Sequence, residues 1–424
     1  MQQDLGPLLN AIYPKVVATL VRVLGDLDRA MDASQDALVK ALQSWQKNGV
    51  PENPVAWLVT VGRNGAIDQI RREQRLVSLD SNVVSIREDT FADDSVQIEE
   101  LDWLDVDDDL LRLVFTCCHP SLNPQAQIAL VLKVVLGFSV EEIARGLLAS
   151  PASIEKRITR AKKKIRDEEI AYEVPGVNEI PARLAAVLKT VYLLFNEGYT
   201  RIQDDNLVRG SLIDVAIRLA RITSRLFRDN PEPRALLALM LLSAARLPGR
   251  VNDKVFVPLV EQDRMSWNQA MIREGIALVD AIHVARHPPG AYQIQAAISA
   301  LHSQAPSSEE TDWPQIAALY EKLEQYDASP VVPVNRAVAM SFCGQAAAAL
   351  DILMSEPLVE QLMNYQPYFA ALGHVYERLG DVERAREQLS LALELAQSPP
   401  QRRYLEQQIA DLKIRLSDGK PTPR

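Results

Sequence analysis

Ser139-Val140-Glu141-Glu142-Ile143-Ala144-Arg145-Gly146-Leu147-Leu148-Ala149-Ser150, continued by Pro151-Ala152-Ser153-Ile154-Glu155-Lys156-Arg157-Ile158-Thr159-Arg160-Ala161-Lys162-Lys163-Lys164-Ile165-Arg166, spells a helix, a break and a second helix. Ser139 followed three residues later by Glu142 is a capping box, which satisfies two of the backbone N–H groups that a helix start leaves open. Val140, Ile143, Ala144 and Leu147 then fall on one face. Leu148-Ala149-Ser150 interrupts the pattern, with Ser150 placed to cap a second helix and Pro151 at its first position. In that helix Ile154, Ile158, Ala161 and Ile165 form the apolar stripe. From 151 to 166 there are seven basic residues and one acidic one, Glu155. Lys156, Arg157, Arg160, Lys163 and Lys164 lie opposite the stripe, with Lys162 and Arg166 nearby. Two short helices, a tight turn and a basic outer face make the helix-turn-helix pattern, whose second helix enters a major groove.

Upstream, Leu27, Ala30, Ser34, Ala37, Leu38, Ala41, Leu42 and Trp45 recur at steps of three and four, which predicts a helix with one buried stripe. Asp28, Asp32, Gln35, Asp36 and Lys40 lie off it. Asn53 is a good N-cap and Pro54 a good first residue for the next helix, which runs on through Trp57, Leu58, Val61, Ala66, Ile67 and Ile70. Its polar surface carries Arg63, Asn64, Asp68, Arg71 and Arg72. Trp45 and Trp57 sit on or beside apolar stripes and read as core. Residues 76–109 hold twelve Asp or Glu against one Arg, with little periodicity, and read as an acidic linker. The chain therefore divides at 1–75, 76–109, 110–172 and 173–424.

The whole fits an all-α, reduced cytoplasmic protein. Its 424 residues are 47% hydrophobic and 24% charged, with a formal net charge of -10 and three cysteines. The acidic balance disfavours a nucleic-acid binder that uses its whole surface, so any such contact has to be local, as at 151–166. No apolar run approaches the ~18 residues of a membrane span, and the start shows no signal-peptide pattern.

Taken in order, Gly25-Asp26-Leu27-Asp28-Arg29-Ala30-Met31-Asp32-Ala33-Ser34-Gln35-Asp36-Ala37, Trp45, Asn53-Pro54-Val55-Ala56-Trp57-Leu58 and Arg63-Asn64-Gly65-Ala66-Ile67-Asp68 resemble region 2 of extracytoplasmic-function sigma factors of the sigma-70 family. The helix-turn-helix resembles their region 4, and the acidic stretch stands where their linker belongs. Phe115-Thr116-Cys117-Cys118-His119-Pro120 and Lys189-Thr190-Val191-Tyr192-Leu193-Leu194-Phe195-Asn196-Glu197-Gly198-Tyr199 are similar to signatures of a subgroup with a long helical C-terminal extension. Met31 departs from the pattern, since the family often has an acidic residue there.

The resemblance implies recognition rather than catalysis: binding core RNA polymerase, reading two elements of promoter DNA and helping to open the duplex. It implies that Asp28, Asp32, Gln35 and Asp36 meet the polymerase clamp. Arg63, Asn64, Asp68, Arg71 and Arg72 would then face the minus-ten element, with the 48–53 loop forming a pocket for an unstacked base. Ser153, Lys156, Arg157, Arg160, Lys163 and Lys164 would face the minus-thirty-five element. Arg and Lys suit phosphates, and base edges need hydrogen-bonding side chains. A helix-turn-helix regulator with a repeat-type sensor, or a repeat scaffold whose basic helix meets an acidic protein, are the alternatives; neither needs the region 2 segments.

In the last zone Phe369, Leu372, Gly373, Tyr376, Gly380, Ala385, Leu389 and Ala392 follow the tetratricopeptide pattern, and Ala337, Met340, Gly344, Ala349 and Leu353 repeat part of it. Stacked helix pairs build concave grooves, so this zone reads as a regulatory module for a protein or small-molecule ligand. Pro248-Gly249 and the polar stretch 303–312 predict breaks between helices, and residues 235–245 predict a buried one. Adjacent Cys117 and Cys118 lack a second pair at zinc spacing, and His283 with His287 lack a third ligand and a following Glu. No metal or cofactor is expected. Asn196 and Glu197 either face a pocket or brace a helix.

Overall fold

The computed structural model describes residues 5–80, 103–147, 149–176, 178–200, 206–252, 255–285, 288–396 and 398–418. It is helical, as the sequence predicts, with one two-stranded ladder, and it separates into two compact units, 1–197 and 198–424.

Unit 1 begins with three mutually packed helices, α1 (Gly6–Leu24), α2 (Leu27–Asn48) and α3 (Pro54–Asp80). Of the two N-caps here, Asn53 is the one the sequence specifies and Asp26 is a further one. The Asp26 carboxylate accepts from Arg29 N at 2.8 Å, and the Asn53 side chain accepts from Ala56 N at 3.1 Å. Ala30, Ser34, Ala37, Ala41 and Trp45 are buried on α2, as are Met31 and Ala33, whereas Leu42 is 41% exposed at the edge of the expected stripe. Leu20 of α1 and Leu58 of α3 are wholly enclosed, each burial stabilising the bundle by about 1.5–3 kcal/mol. Trp45 and Trp57 meet edge to face at 5.4 Å, and Trp45 is core.

The acidic stretch is shorter than its composition suggests. α3 continues to Asp80, and α4 (Trp103–Cys117) starts before the expected boundary, because Leu110, Leu113 and Val114 supply an apolar face that packs on α1. Residues 81–102 of the expected linker lie outside the described residues. Asp109, by composition part of that solvated linker, is wholly buried. Its carboxylate accepts from Arg22 Nε at 2.8 Å and Arg112 Nη1 at 2.7 Å.

After α5 (Pro124–Leu130) comes one π-type turn, Val131–Val135, then α6 (Val140–Gly146) and α7 (Pro151–Asp167). α8 (Ile180–Thr200) opens the expected extension, yet most of it belongs to unit 1. It is tied to α4 and α5 by polar contacts. Thr190 Oγ1 donates to Gln127 Oε1 at 2.9 Å, Gln127 Nε2 donates to the His119 carbonyl at 2.8 Å, and Arg183 Nη2 donates to the Phe115 carbonyl at 3.1 Å.

Unit 2 is built around α10 (Pro231–Ala245). It is apolar on every side and accordingly packed by α9 (Asn206–Leu226), α11 (Gln269–Val284) and α12 (Ala291–Gln304). The break at Pro248-Gly249 is a 3-10 turn. It leads into β1 (Val251–Asn252) and β2 (Val255–Phe256), which pair antiparallel with Val251 opposite Phe256. The chain then runs through α13 (Trp313–Leu323), α14 (Val331–Phe342), α15 (Ala346–Leu353), α16 (Glu356–Leu362), α17 (Gln366–Arg378), α18 (Val382–Leu395) and α19 (Pro399–Asp418).

The sequence repeat has a geometric counterpart in the pairs α14–α15 and α17–α18. Gly344 and Gly380 turn the chain between helices with φ of 76° and 80°, a conformation that Gly adopts without strain. Gly373 lets the helices of the second pair touch: a Cβ there would lie 2.8 Å from Leu389 Cγ. Ala337, Ala349, Ala385 and Ala392 are fully buried at the corresponding crossings. Among the described residues no helix is long and apolar enough to cross a membrane.

Candidate nucleic-acid and polymerase interface

The reciprocal cap at the start of α6 is formed as the sequence specifies. Glu142 N donates to Ser139 Oγ at 3.1 Å, and Ser139 N donates to Glu142 Oε2 at 2.8 Å. Ser150 caps α7 through Ser153 N at 3.2 Å. Ile154, Ile158 and Ala161 are buried and fix the rotation of α7, so Lys156 and Arg160 are exposed, with Ser153 and Arg157 half-buried beside them. These positions recur at three- and four-residue steps and share one face. An exposed helix face with Ser153 near its N-terminus and cations along its length can place one end against base edges and the rest along phosphates.

The three lysines that follow are used differently from one another. Lys163 stays exposed, 3.9 Å from Asp167. Lys164, its side chain 43% exposed, donates to the Ser121 carbonyl at 2.7 Å and pairs with Glu168 at 3.4 Å, so it holds α7 to the turn before α5. Lys162 leaves the module: it pairs with Asp28 of α2, and its Nζ lies 3.7 Å from Met31 Sδ. The 151–166 pattern sets Lys162 beside the basic face but gives no sign of its partner on α2.

On α2, Asp28, Asp32, Gln35 and Asp36 are all exposed. Beneath them Tyr13 is pushed up to about 12, first by burial and then by the nearby Asp32 charge. Met31, the departure from the family pattern, is buried rather than part of that surface. On α3, Asn64, Asp68, Arg71 and Arg72 are exposed and Arg63 is half-buried. Asn64, Asp68 and Arg71 fall at steps of four and three, so they share a face. Arg29 and Glu73, 3.5 Å apart, bind the outer surfaces of α2 and α3 together.

A second tie across unit 1 was also hidden in the sequence. The Tyr172 hydroxyl lies 2.8 Å from the Ala18 carbonyl of α1 and 2.9 Å from the Asp109 carbonyl of α4. Burial and the Asp109 charge push its ionisation far up.

Two helical modules in this order, one with a capped helix-turn-helix, match two family models. Residues 8–76 match Sigma-70 region 2 and residues 112–165 match Sigma-70, region 4. The chain belongs to the sigma-70 family. It is an RNA polymerase sigma factor, and the family's partners are core RNA polymerase and promoter DNA. Residues 183–283 of this sigma factor also match a family of unknown function, DUF6596. Over 405 residues it is 41% identical to an uncharacterised protein of Rhizobium meliloti (strain 1021), covering 95% of each chain.

Cys117 and Cys118 are buried, and burial pushes both thiols up, Cys118 to about 12. Among the described residues no group of three or more His, Cys, Asp or Glu is arranged to hold a metal ion. His287, half of the expected histidine pair, lies outside the described residues. Asn196 and Glu197 are half-buried on α8.

Proposed function

We propose that this sigma factor is of the extracytoplasmic-function group and acts in the cytoplasm. Asp28, Asp32, Gln35 and Asp36 meet the polymerase clamp. Arg63, Asn64, Asp68, Arg71 and Arg72 face the minus-ten element, and Ser153, Lys156, Arg157 and Arg160, with Lys163, face the minus-thirty-five element. Lys164 takes part through its hold on α7. The observation that carries this reading is the exposed basic face of α7, fixed by a buried isoleucine stripe, in the same chain as an acidic outer face on α2.

In this reading the compact unit 1 is the resting form. A folded body of this length has a radius of gyration of about 16 Å. Elements about 25 base pairs apart are separated by about 85 Å of duplex. The α1–α3 module and the α4–α8 module therefore part when both elements are read, and the contacts of Lys162 and Tyr172 are those given up. The tetratricopeptide-like unit 2 controls this step in cis. Its covalent attachment supports that role, because a fused module acts at high effective concentration.

Removal of residues 198–424 tests the regulatory part. Cutting there keeps α8 on the module it packs against. Promoter-specific transcription by core polymerase is expected to change at least severalfold between the full chain and residues 1–197; equal activity at equal occupancy sinks cis control and leaves the sigma assignment in place.

A further inference from the structure

The segment after β2 changes the character of the inner face of unit 2. Phe256 meets Tyr404 edge-on with centroids 6.0 Å apart, and the Tyr404 hydroxyl lies 3.3 Å from Glu261 Oε1. A strap from early in the unit is thus joined to α19 at its end. The concave side of α13, α14 and α17–α19 becomes a cavity of about 660 Å³. That volume lies within the roughly 300–1,000 Å³ of small-molecule sites. A face crossed by a strap suits a compact ligand better than a long peptide.

The aliphatic wall includes Ile316, Val334, Val338, Ala339 and Leu389. A column of rings stands against it. His302 meets Trp313 edge-on at 5.2 Å, Trp313 stacks flat on Phe342 at 4.1 Å, and Phe342 leans on His374 at 4.9 Å. Three of the charged groups are already satisfied: Glu377 and Arg415 pair at 2.6 Å, and Glu261 meets the Tyr404 hydroxyl. Arg378 is not. Its guanidinium carbon lies 4.2 Å from the Phe342 centroid, and no carboxylate among the described residues pairs with it. One turn earlier on the same helix, His374 Nε2 is buried without a partner among the described residues, as is His302 Nδ1 at the other end of the column.

A guanidinium fork without an acid, at the side of an apolar cavity, is complementary to a carboxylate. A neutral imidazole beside it can present a further N–H to the second oxygen. We propose that this cavity is the binding site of a small apolar monocarboxylate, its carboxylate on Arg378 and His374 and its body along the Val334–Leu389 wall. This deepens the sensor role proposed for unit 2. Binding is measured without polymerase or DNA, so its failure is distinguishable from failure of the transcriptional reading.

The test is calorimetric titration of the full-length protein with octanoate and 3-phenylpropionate, against octanol and octylammonium. The acids are expected to bind at least about tenfold more tightly than the alcohol and the amine. R378Q should bring the acids down to the level of the alcohol, and R378K, which keeps the charge without the fork, should fall between. V338W, which fills the cavity, should remove binding of all four; circular dichroism checks that it is folded, and R378Q carries the test if it is not. Because Arg378 has no ion pair to lose, R378Q should melt near the wild-type midpoint. Absence of acid binding at millimolar concentration, equal affinity for acid and alcohol, preference for the amine, or an unaltered R378Q overturns the proposal.

Discussion

Lys162 reaches from the basic helix of the region 4 module to the Asp28 carboxylate on the outer face of α2, and its ammonium lies against the sulfur of Met31. The lysine side chain is 14% exposed and the aspartate 58%. One contact thus draws a cation from the helix proposed to bind DNA and an anion from the patch proposed to bind polymerase. The buried Met31, placed where the family often carries an acid, gives the lysine stem an apolar seat.

Lys162→Gln should therefore loosen the resting form with little cost to folding. A pair with one member this exposed contributes about 0.2–1 kcal/mol. Affinity for core polymerase, measured without promoter DNA by fluorescence titration, is expected to rise by up to about fivefold, since about 1.4 kcal/mol is tenfold. A fall in affinity would show that Lys162 serves polymerase directly rather than competing with it.

Asp109 makes a different prediction. Burial pushes its carboxyl up, while the hydrogen bonds and charges of Arg22 and Arg112 pull it down without fully offsetting that push. A raised carboxyl pKa means that the native state holds its proton to higher pH than the unfolded state, so this group's contribution declines as pH rises through the aspartate range. Asp109→Ala removes charge-assisted bonds worth about 1.5–3 kcal/mol. A urea transition of unit 1 shifted by less than about 0.5 kcal/mol, the low end for one ordinary hydrogen bond, would contradict the buried anchor.

Unit 2 should be acid-sensitive. Burial, aided by Arg246 and Arg264, lowers His302 from 6.5 to about 3; burial, aided by Arg378, lowers His374 to about 4. Both are neutral in the fold. As pH falls below about 6.5 the unfolded chain takes up protons that these two cannot, so stability is lost between pH 6.5 and about 4. The thermal midpoint of unit 2 should fall across that window, and His302→Phe should flatten the slope. An unchanged slope in that variant would move the acid sensitivity elsewhere.

Gly373→Ala places a methyl 2.8 Å from Leu389 Cγ and should cost about 1–3 kcal/mol by overpacking. Gly380→Ala forces a side chain into a left-handed turn at φ 80° and should cost about 1–2 kcal/mol. Thermal unfolding of both variants checks the paired-helix geometry; wild-type midpoints would show that the crossing relaxes freely.

On DNA, Arg157→Ala within the holoenzyme should cost roughly 1–3 kcal/mol and relax selectivity at one position. Lys163→Ala should weaken all sequences alike and lower the salt slope by about 1. Competition titrations over a set of single-base promoter variants distinguish the two; identical profiles would remove Arg157 from base readout.

Local chemistry was readable from the chain. The capping box of Ser139 and Glu142, the Ser150 and Asn53 caps and the stripe of Ile154 and Ile158 each depend on residues within a few positions. The buried α10 was legible because it is apolar all round, and the helix pairs because their small residues repeat. Long-range polar contacts were not. Lys162 looks like one lysine among three, Asp109 like one acid among twelve, and Tyr172 like any tyrosine, until folding brings each to a partner far away in sequence. The strap at Phe256 and Glu261 is equally silent, since its partner, Tyr404, lies at the other end of the unit.

The most direct measurement is selective initiation. Core RNA polymerase freed of its own specificity subunit is mixed with this chain on a library of genomic promoter fragments, and transcript start sites are mapped. The sigma assignment predicts discrete starts that share two upstream elements and vanish when Arg157 and Arg160 are replaced together. Random initiation, indistinguishable from polymerase alone while the chain is bound to it, would contradict the account.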